Sequence, residues 1–579
     1  MTVHINPAPR NAASLIVLRD GVEPGAGPKV LLMQRPERGV DLRSGAVVFP
    51  GGVVDVRDRD AHRWCIGLGD EEASARLGLP EGGLDYLIAA VRETFEEVGL
   101  LYACTPDGTP VDVARHAEAL AAWRPRLQSG EAPIAALCAA LDLRLDLRRT
   151  AYLSHWLTPP GQPKRFDTRF FVAPAPVGQV AEADRGEALH LMWLRPQAAL
   201  EPALGLKLLP VTVRTLQGLA AHADAAAAVN HAHALRNIER VMPRIATSAR
   251  GRRVVLPDEH AYAEIGRLDP EGRGDVSCQI VAGAVVRLSP RVLRVTAPNP
   301  GPMTGPGTNS YLVGDPAANT WTAIDPGPAD AAHIQALLAA APGPIVQILV
   351  THTHLDHSPG AALLQRATGA PVFGRLPLHA AGQDASFAPA RELAPGERLE
   401  LGADARLRVL HTPGHASNHL CYLLEEERLL FTGDHVMQGS TVVINPPDGD
   451  MAAYLKALEG LLDEEIDWFA PGHGFLVAKP HALLRALLAH RLQREGRVAD
   501  ALAQLRQGTL DELLPRVYAD VPPALHPVAR CSLLAHLLKL EAEGRAVGEA
   551  EVWRDGAAPK GSRAGDDVRR SLAGHSPPK

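Results

Sequence analysis

Residues 351–357, THTHLDH, place four side chains that can bind a metal within six residues: His352, His354, Asp356 and His357. The chain has 24 histidines in 579 residues, so three of them beside an aspartate in one short window are not expected by chance. The apolar run 345–350 (IVQILV) before them predicts a buried strand, and Ser-Pro-Gly after them predicts a turn. Imidazole and carboxylate ligands suit zinc or iron. The heptapeptide is therefore predicted to be a metal-binding loop at the end of a strand.

Three later segments have the same arrangement of a predicted strand followed by a ligand. His415 ends HTPGH after the strand 405–410, Asp434 follows the strand 429–431 in LLFTGDH, and His473 follows the strand 468–470 in WFAPGH. A helix predicted at 331–340 alternates with the first strands. Because catalytic groups commonly lie on loops at strand ends, these ligands are predicted to converge with residues 351–357.

Over about residues 291–476, these motifs in this order resemble those of the metallo-β-lactamase fold, which implies an αββα sandwich. By position, His352, His354 and His415 resemble the ligands of a first metal. Asp356, His357 and His473 resemble those of a second metal, and Asp434 would bridge both. The resemblance implies two Zn²⁺ ions as cofactors, and iron or manganese suits the same ligands. Asp325 matches an early aspartate of the family that supports the ligands.

Such a pair of cations, about 3.5–4 Å apart, would hold a bridging hydroxide that is formed near neutral pH. The hydroxide would attack an electrophilic carbonyl or phosphorus, and a cation would stabilise the resulting oxyanion. Asp356 is the candidate catalytic residue here, because it could also orient the hydroxide. This chemistry needs no serine or cysteine nucleophile.

Two longer segments, 299–315 (NPGPMTGPGTNSYLVGD) and 350–361 (VTHTHLDHSPGA), resemble the glyoxalase II-like branch that carries a C-terminal winged helix. That branch includes mitochondrial-type endoribonucleases. Residues 521–547 predict helix, turn and helix, followed by a small wing near Trp553. Residues 491–549 contain as many basic as acidic side chains, which does not favour nucleic acid as a partner. An ester or thioester is the preferred substrate, and RNA is the alternative.

A second candidate site lies far upstream, in the predicted amphipathic helix from Leu84 to Gly99. Glu93, Glu96 and Glu97 fall on one face of it within a turn, where like charges repel each other. A hard cation such as Mg²⁺ prefers oxygen ligands and would relieve that repulsion. A solvated acidic face is the alternative.

FPGG (49–52) and RETFEEVGL (92–100) resemble the Nudix box, whose second half reads RE-x-x-EE-x-G. Gly52 lies forty residues before Arg92, so an insertion at about residues 53–83 interrupts the box. The interruption and residues 154–173 resemble the branch of peroxisomal-type coenzyme A diphosphatases. The resemblance implies an α/β/α sandwich in which Glu93, Glu96 and Glu97 bind Mg²⁺ or Mn²⁺. Glu93 would be the base and Arg92 would orient the glutamates, while Asp55 or Asp58 could replace the first glutamate of the box.

The length of 579 residues and the composition predict a globular protein of three or four domains. The net charge of −7 and pI of about 6.4 do not predict attraction to nucleic acid or anionic membranes. The six cysteines form no CxxC, and neither a signal peptide nor a membrane span is evident, so a cytoplasmic location is expected. The predicted order is a Nudix domain with a helical C-terminal extension, a linker, a metallo-β-lactamase domain, a winged-helix domain and a disordered tail, at residues 10–245, 246–277, 278–480, 481–554 and 555–579.

Together these features predict a bifunctional, metal-dependent hydrolase of small molecules. The Nudix domain would cleave a coenzyme A-like or nucleoside diphosphate, and the second domain would cleave an ester or thioester. The alternative is a metallo-β-lactamase-fold endoribonuclease whose Nudix domain binds a ligand without catalysis.

Overall fold

The computed structural model describes residues 6–556, apart from 22–26, 38–43, 185, 187 and 403. The chain divides into two compact units: the first runs to Pro257 and includes Asp269–Asp275, and the second contains Asp258–Leu268 and the chain from Val276 onward. Most of the predicted disordered tail, from residue 557, lies outside the described residues. In the described part, no helix combines the length and apolar character needed to cross a membrane.

The first unit contains the elements of the predicted Nudix domain. Its strands are β1 (Arg10–Asp20), β2 (Pro28–Gln34), β3 (Val47–Val48), β4 (Gly51–Val53), β5 (Cys65–Ile66), β6 (Ala103–Cys104), β7 (Arg144–Asp146), β8 (Ala151–Leu157), β9 (Phe166–Pro174), β10 (His190–Leu194), β11 (Arg240–Val241), β12 (Arg244–Ser248) and β13 (Gly251–Val255). Its helices are α1 (Asp70–Leu77), α2 (Gly83–Val98), α3 (Ala117–Gln128), α4 (Ile134–Leu141), α5 (Pro196–Ala199), α6 (Pro210–Leu219) and α7 (Ala225–Ala234), with 3-10 helices at Val56–Trp64 and Pro202–Leu204.

The main sheet of this unit has the order β10-β2-β1-β9-β8-β11, with β1 parallel to β9 and antiparallel to β2. Along β1, Leu15 and Val17 pack in the cluster that contains α2, whereas Ile16 and Leu18 pack in the cluster that contains α6 and α7. Alternate residues of a strand face opposite sides of a sheet, so helices cover both faces. The predicted α/β/α sandwich is confirmed.

The helix that carries the glutamates begins and ends almost where the sequence predicts. Apolar side chains repeat along α2 at helical spacing and are buried. The helix stops because Gly99 adopts a left-handed conformation with φ of 72°, from which its N–H still bonds to the carbonyl of Phe95.

The second unit contains the metallo-β-lactamase and winged-helix elements. Its strands are β14 (Val285–Arg287), β15 (Val292–Thr296), β16 (Asn309–Asp315), β17 (Thr320–Ile324), β18 (Ile345–Leu349), β19 (Val372–Gly374), β20 (Arg391–Glu392), β21 (Arg398–Glu400), β22 (Arg406–His411), β23 (Leu420–Leu424), β24 (Leu429–Gly433), β25 (Trp468–Pro471), β26 (Val477–Ala478), β27 (Gln507–Thr509), β28 (Ala546–Glu549) and β29 (Val552–Asp555). Its helices are α8 (Tyr262–Leu268), α9 (Ala331–Ala340), α10 (Gly360–Thr368), α11 (Met451–Leu461), α12 (Pro480–Leu505), α13 (Leu510–Val517) and α14 (His526–Ala542), with 3-10 helices at Glu425–Glu427 and Pro523–Leu525.

The sheet that contains β14 to β20 packs face to face against the sheet that contains β21 to β26. Their shared core includes Tyr311 and Ile324 from the first sheet and Tyr422 and Phe431 from the second. The outer face of the first sheet packs with α9 and α10, and that of the second packs with α11 and α12. This layering confirms the predicted αββα sandwich.

Two local predictions differ from the structure. Where helix, turn and helix are predicted within 521–547, the structure has a single α-helix, α14, because no glycine or proline occurs between Pro527 and Gly544. The preceding helix of the winged-helix domain is α13, before that segment, and β27 to β29 form its small sheet. The stretch predicted as a linker, 246–277, contains most of the β12–β13 hairpin and α8.

Candidate metal centre and Nudix site

The histidines and aspartates predicted to bind metal lie beside strand ends on loops of the second unit. His352 and His354 follow β18, His415 follows β22, Asp434 follows β24 and His473 follows β25. The ligand atoms form two groups, and within each group they lie within 4.8 Å of one another. The groups are His352, His354 and His415, and then Asp356, His357, Asp434 and His473.

Asp434 lies between the two groups. One of its carboxylate oxygens is 3.4 Å from His357 Nε2 and 3.3 Å from His473 Nε2. The other is 3.7 Å from His415 Nε2, which belongs to the first group. One carboxylate therefore faces ligands of both groups, which is the position expected of a bridging ligand.

The donor atoms in this centre fit a pair of cations. Among the described residues, Nε2 of His352, His357 and His473 and one oxygen of Asp434 are buried without a hydrogen bond. Leaving a buried polar atom unbonded costs about 1–3 kcal/mol, so four together are costly unless another partner binds them. Imidazole nitrogens and carboxylate oxygens are the donors that zinc and iron accept.

Hydrogen bonds to the Nδ1 atoms of two histidines fix the orientation of their rings. Asp325 accepts from the backbone N–H and the hydroxyl of Thr351, both at 2.7 Å, and its carboxylate lies 2.9 Å from His357 Nδ1. Thr351 Oγ1 is also 2.9 Å from His352 Nδ1. Asp325 thus holds one histidine directly and another through Thr351, and both Nε2 atoms face the centre.

The electrostatics divide the histidines into two kinds. Burial lowers the pKa of His352, and it lowers the pKa of His354 to about 4, so both rings are neutral donors. Burial also lowers the pKa of His357 and His473, but the carboxylates of Asp356 and Asp434 outweigh it. The net pKa of His473 rises to about 9. Near these carboxylates the site favours positive charge, which a proton or a cation can supply.

His419 supports the centre and was not predicted from the sequence. Its ring is fully buried and stacks on His352 with 5.0 Å between centroids. Its Nε2 accepts from the backbone N–H of Asp434 at 3.2 Å, and Nδ1 lies 3.0 Å from the Thr412 hydroxyl. Its place four residues after HTPGH was the available signal. His411 and His435 belong to neither ligand group.

In the first unit, Arg92 contacts the predicted carboxylates. It donates to Glu93 at 2.9 Å and to Glu96 at 3.2 Å. It also donates to both oxygens of Asp58, at 2.8 and 3.2 Å. Asp58 is the better placed of the two candidates for the first acidic position, since it is buried against Arg92 while Asp55 caps the 3-10 helix at Val56–Trp64.

A glycine turn lies against the same helix. The backbone N–H of Gly51 donates to Glu97 at 2.7 Å. A methyl group at Gly52 would come within 2.4 Å of the Glu93 carboxylate, so the turn approaches the helix as closely as a glycine allows. Among the described residues, these glutamates do not form a group of converging ligand atoms like those in the second unit. Their metal-binding role stays a prediction.

Three family models match the chain in the predicted order. Residues 69–206 match the NUDT19 Nudix domain, residues 303–473 match the metallo-beta-lactamase superfamily, and residues 509–553 match the beta-lactamase associated winged helix domain. The Nudix match begins after Gly52, in keeping with the interrupted box.

Among curated proteins, the chain is 32% identical over 284 residues to Beta-lactamase-like protein 2 homolog of Drosophila melanogaster, covering 45% of this chain and 91% of that protein. It is 34% identical over 252 residues to Atrochrysone carboxyl ACP thioesterase of Aspergillus chevalieri, covering 41% of this chain and 76% of that protein. A solved beta-lactamase domain protein from Burkholderia ambifaria is 22% identical with a TM-score of 0.42, and the match covers 48% of this chain and 95% of that one.

Proposed function

Because this chain belongs to the metallo-β-lactamase superfamily and carries a Nudix domain ahead of that fold, we propose that it is a bifunctional hydrolase with an active site in each unit. The observation that carries the proposal for the second unit is the convergence of seven candidate ligand side chains, four of which have a buried donor atom without a hydrogen bond among the described residues. We assign it the hydrolysis of a thioester.

The cations are assigned to the ligands as follows. His352, His354 and His415 would hold one, Asp356, His357 and His473 would hold the other, and Asp434 would contact both. Bound there, two divalent cations supply hydroxide at neutral pH and withdraw electrons from the substrate carbonyl.

The protein side chains around the cations position water and substrate. Asp356 has the most exposed side chain of the second group, at 27%, and it contacts both His357 and His473 at 3.3 Å. Its carboxylate can therefore accept a hydrogen bond from the attacking water and hold the oxygen toward the substrate. The buried histidines and Asp434 keep the ligand cage rigid during the reaction.

A thioester fits this site for two reasons. The Aspergillus relative is named as a thioesterase, and it is 34% identical to this chain over 252 residues. A thiol also has a pKa near 8.5, so a thiolate leaves readily without a proton from a general acid. An oxygen ester depends more strongly on such a proton, because an alkoxide is a poorer leaving group than a thiolate.

In the first unit we assign hydrolysis of a diphosphate to the helix α2. Glu93, Glu96 and Glu97 would bind Mg²⁺ or Mn²⁺, with Glu93 as base, and Arg92 would hold Glu93 and Glu96 in place. The bound cation would neutralise charge on the phosphoanhydride during water attack. Coenzyme A thioesters contain both a diphosphate and a thioester, so one molecule could be a substrate for both units.

Metal reconstitution with a substrate panel tests both assignments. The purified chain is stripped with a chelator, reloaded with Zn²⁺, iron, Mn²⁺ or Mg²⁺, and assayed on acyl-CoA, coenzyme A, nucleoside diphosphates, a carboxylate ester and RNA. We expect thioester cleavage with Zn²⁺, iron or Mn²⁺, and diphosphate cleavage with Mg²⁺ or Mn²⁺. Protein that binds two cations but cleaves RNA and no thioester would refute the thioesterase assignment. Diphosphate binding without cleavage would make the Nudix domain a binding module.

A further inference from the structure

The helix α8 precedes the residues that match the metallo-β-lactamase superfamily, yet it belongs to the second unit. Its Glu264 is 2% exposed, which is unusual for a carboxylate unless a partner binds it. The partner is Arg294 on β15, also 2% exposed, which donates to the two oxygens of Glu264 at 2.7 and 2.9 Å. This is a two-point ion pair inside the protein.

The pair is attached to the turn that carries His473. Glu264 accepts a hydrogen bond from the backbone N–H of Leu476 at 2.8 Å. Arg294 donates to the carbonyl of Gly474 at 3.4 Å. The two contacts reach the chain one and three residues after His473, so the ion pair holds the C-terminal side of the turn.

Residues of β16 hold the other side of the turn. Asn309 donates its side-chain amide to the carbonyls of Pro471, at 3.0 Å, and Gly474, at 2.8 Å. The hydroxyl of Tyr311 donates to Pro471 at 2.7 Å. Between these anchors, His473 Nε2 lies 3.3 Å from both Asp356 and Asp434. The position of this ligand therefore depends on buried contacts that include a residue from outside the superfamily match.

We propose that Glu264 is a positioning residue for His473, and that α8 thereby contributes to metal binding at the centre. The charge pair favours this role over simple stabilisation, because buried ion pairs contribute little net stability compared with apolar residues of similar size. The pair instead fixes the position of the turn that carries His473, since the Glu264 carboxylate accepts three hydrogen bonds. The inference rests on the proposed dinuclear centre.

The test measures metal binding and does not require a substrate. Replacing only Glu264 would leave Arg294 buried and unpaired, so the main variant is Glu264→Met with Arg294→Met, which removes both charges and keeps the volume. The control is Arg267→Met with Glu427→Met, which removes a 3.1 Å ion pair that α8 makes elsewhere in the unit. Each protein is titrated with Zn²⁺ against a chromophoric chelator and with Co²⁺ by absorption spectroscopy.

We expect wild type and control to bind two cations. The main variant should keep the cation held by His352, His354 and His415 and bind the other about 10–100-fold more weakly. A folded main variant that binds both cations as tightly as the wild type does would overturn the inference. If that variant does not fold, Glu264→Asp decides, because it keeps the charge but shortens the side chain; unchanged affinity for the second cation would again overturn it. Failure to cleave thioesters with both cations bound would refute only the proposed reaction.

Discussion

The candidate metal centre of the second unit and the acidic helix of the first unit both concentrate ionisable side chains, but the partners of these side chains differ. In the second unit, buried nitrogen and oxygen atoms face one another without hydrogen bonds. In the first unit, Arg92 already binds Glu93 and Glu96. The first arrangement suits cations that stay bound, and the second suits a cation that arrives with an anionic substrate and shares the glutamates with the arginine.

The difference predicts unequal responses to metal removal. A cage of buried nitrogen and oxygen ligands loses a cation slowly, whereas glutamates that share an arginine exchange Mg²⁺ more readily, because Mg²⁺ keeps several waters and is bound through few carboxylates. Because each unit has its own candidate site, a variant in one unit should change only the activity of that unit.

The largest effect is expected for Asp434→Asn. The amide cannot supply a negative oxygen to both ligand groups, so several kcal/mol of stabilisation are lost and kcat/KM for the thioester falls about a thousandfold. Cleavage of the diphosphate should not change. The matched control is Asp404→Asn, on the exposed surface of the same unit. Loss of both activities in the Asp434 variant would contradict separate sites.

Glu97→Gln should give the reverse result, with a somewhat smaller effect. Glu97 is buried and accepts from the Gly51 N–H, so the isosteric amide keeps the fold but weakens the cation site. We expect diphosphate cleavage to fall about 100–1,000-fold while thioester cleavage stays constant. Glu81→Gln, with a side chain 74% exposed, is the control. If wild type binds the diphosphate without cleaving it, the Nudix domain is a binding module.

An intermediate effect is expected for the carboxylate behind the ligands. In Asp325→Asn, an amide replaces an oxygen that contacts donors on Thr351 and His357. Cation affinity should fall about 10–100-fold. Competition with a chelator measures it, and unchanged affinity would show that Thr351 alone orients the histidines. Asp58→Asn is the counterpart in the first unit, and it should reduce only diphosphate cleavage.

The convergence of the candidate ligands could be predicted because each one lies next to its own strand in the sequence. The run at 345–350 predicts β18, and His352 lies three residues after its observed end; His415, Asp434 and His473 likewise lie within four residues of the ends of their strands. Local patterning sets strand ends, and the layered fold brings those ends together. The two sandwiches themselves were predicted from the resemblance of these motifs to known families.

The family resemblance named Asp325, Arg92 and Asp58, but other supporting residues could not be predicted, because their partners are distant along the chain. Glu264 pairs with Arg294 and reaches Leu476, more than two hundred residues further on. His419 stacks on His352, which lies on a different loop. No periodicity or turn signal in a single sequence encodes such contacts. For the same reason the stretch at 246–277 was predicted to be a linker, although it contains α8.

The smallest effects on activity are expected for alanine substitutions at two glycines, one beside each candidate site. A methyl group at Gly472 would lie 2.7 Å from both the Asp434 carboxylate and the His357 ring, whereas the atoms nearest to one at Gly52 are those at the end of the Glu93 side chain, at 2.4 Å. A buried imidazole held by Asp325 cannot rotate away, but a glutamate can. Overpacking costs about 1–3 kcal/mol, so Gly472→Ala should reduce thioester cleavage roughly tenfold or more, and Gly52→Ala should reduce diphosphate cleavage by less. Gly460→Ala, where nothing lies within 4 Å, should leave kcat/KM unchanged for both substrates. A greater loss in the Gly52 variant would mean that the glutamates are held as rigidly as the histidines, and that the Nudix site is as preorganised as the metal centre.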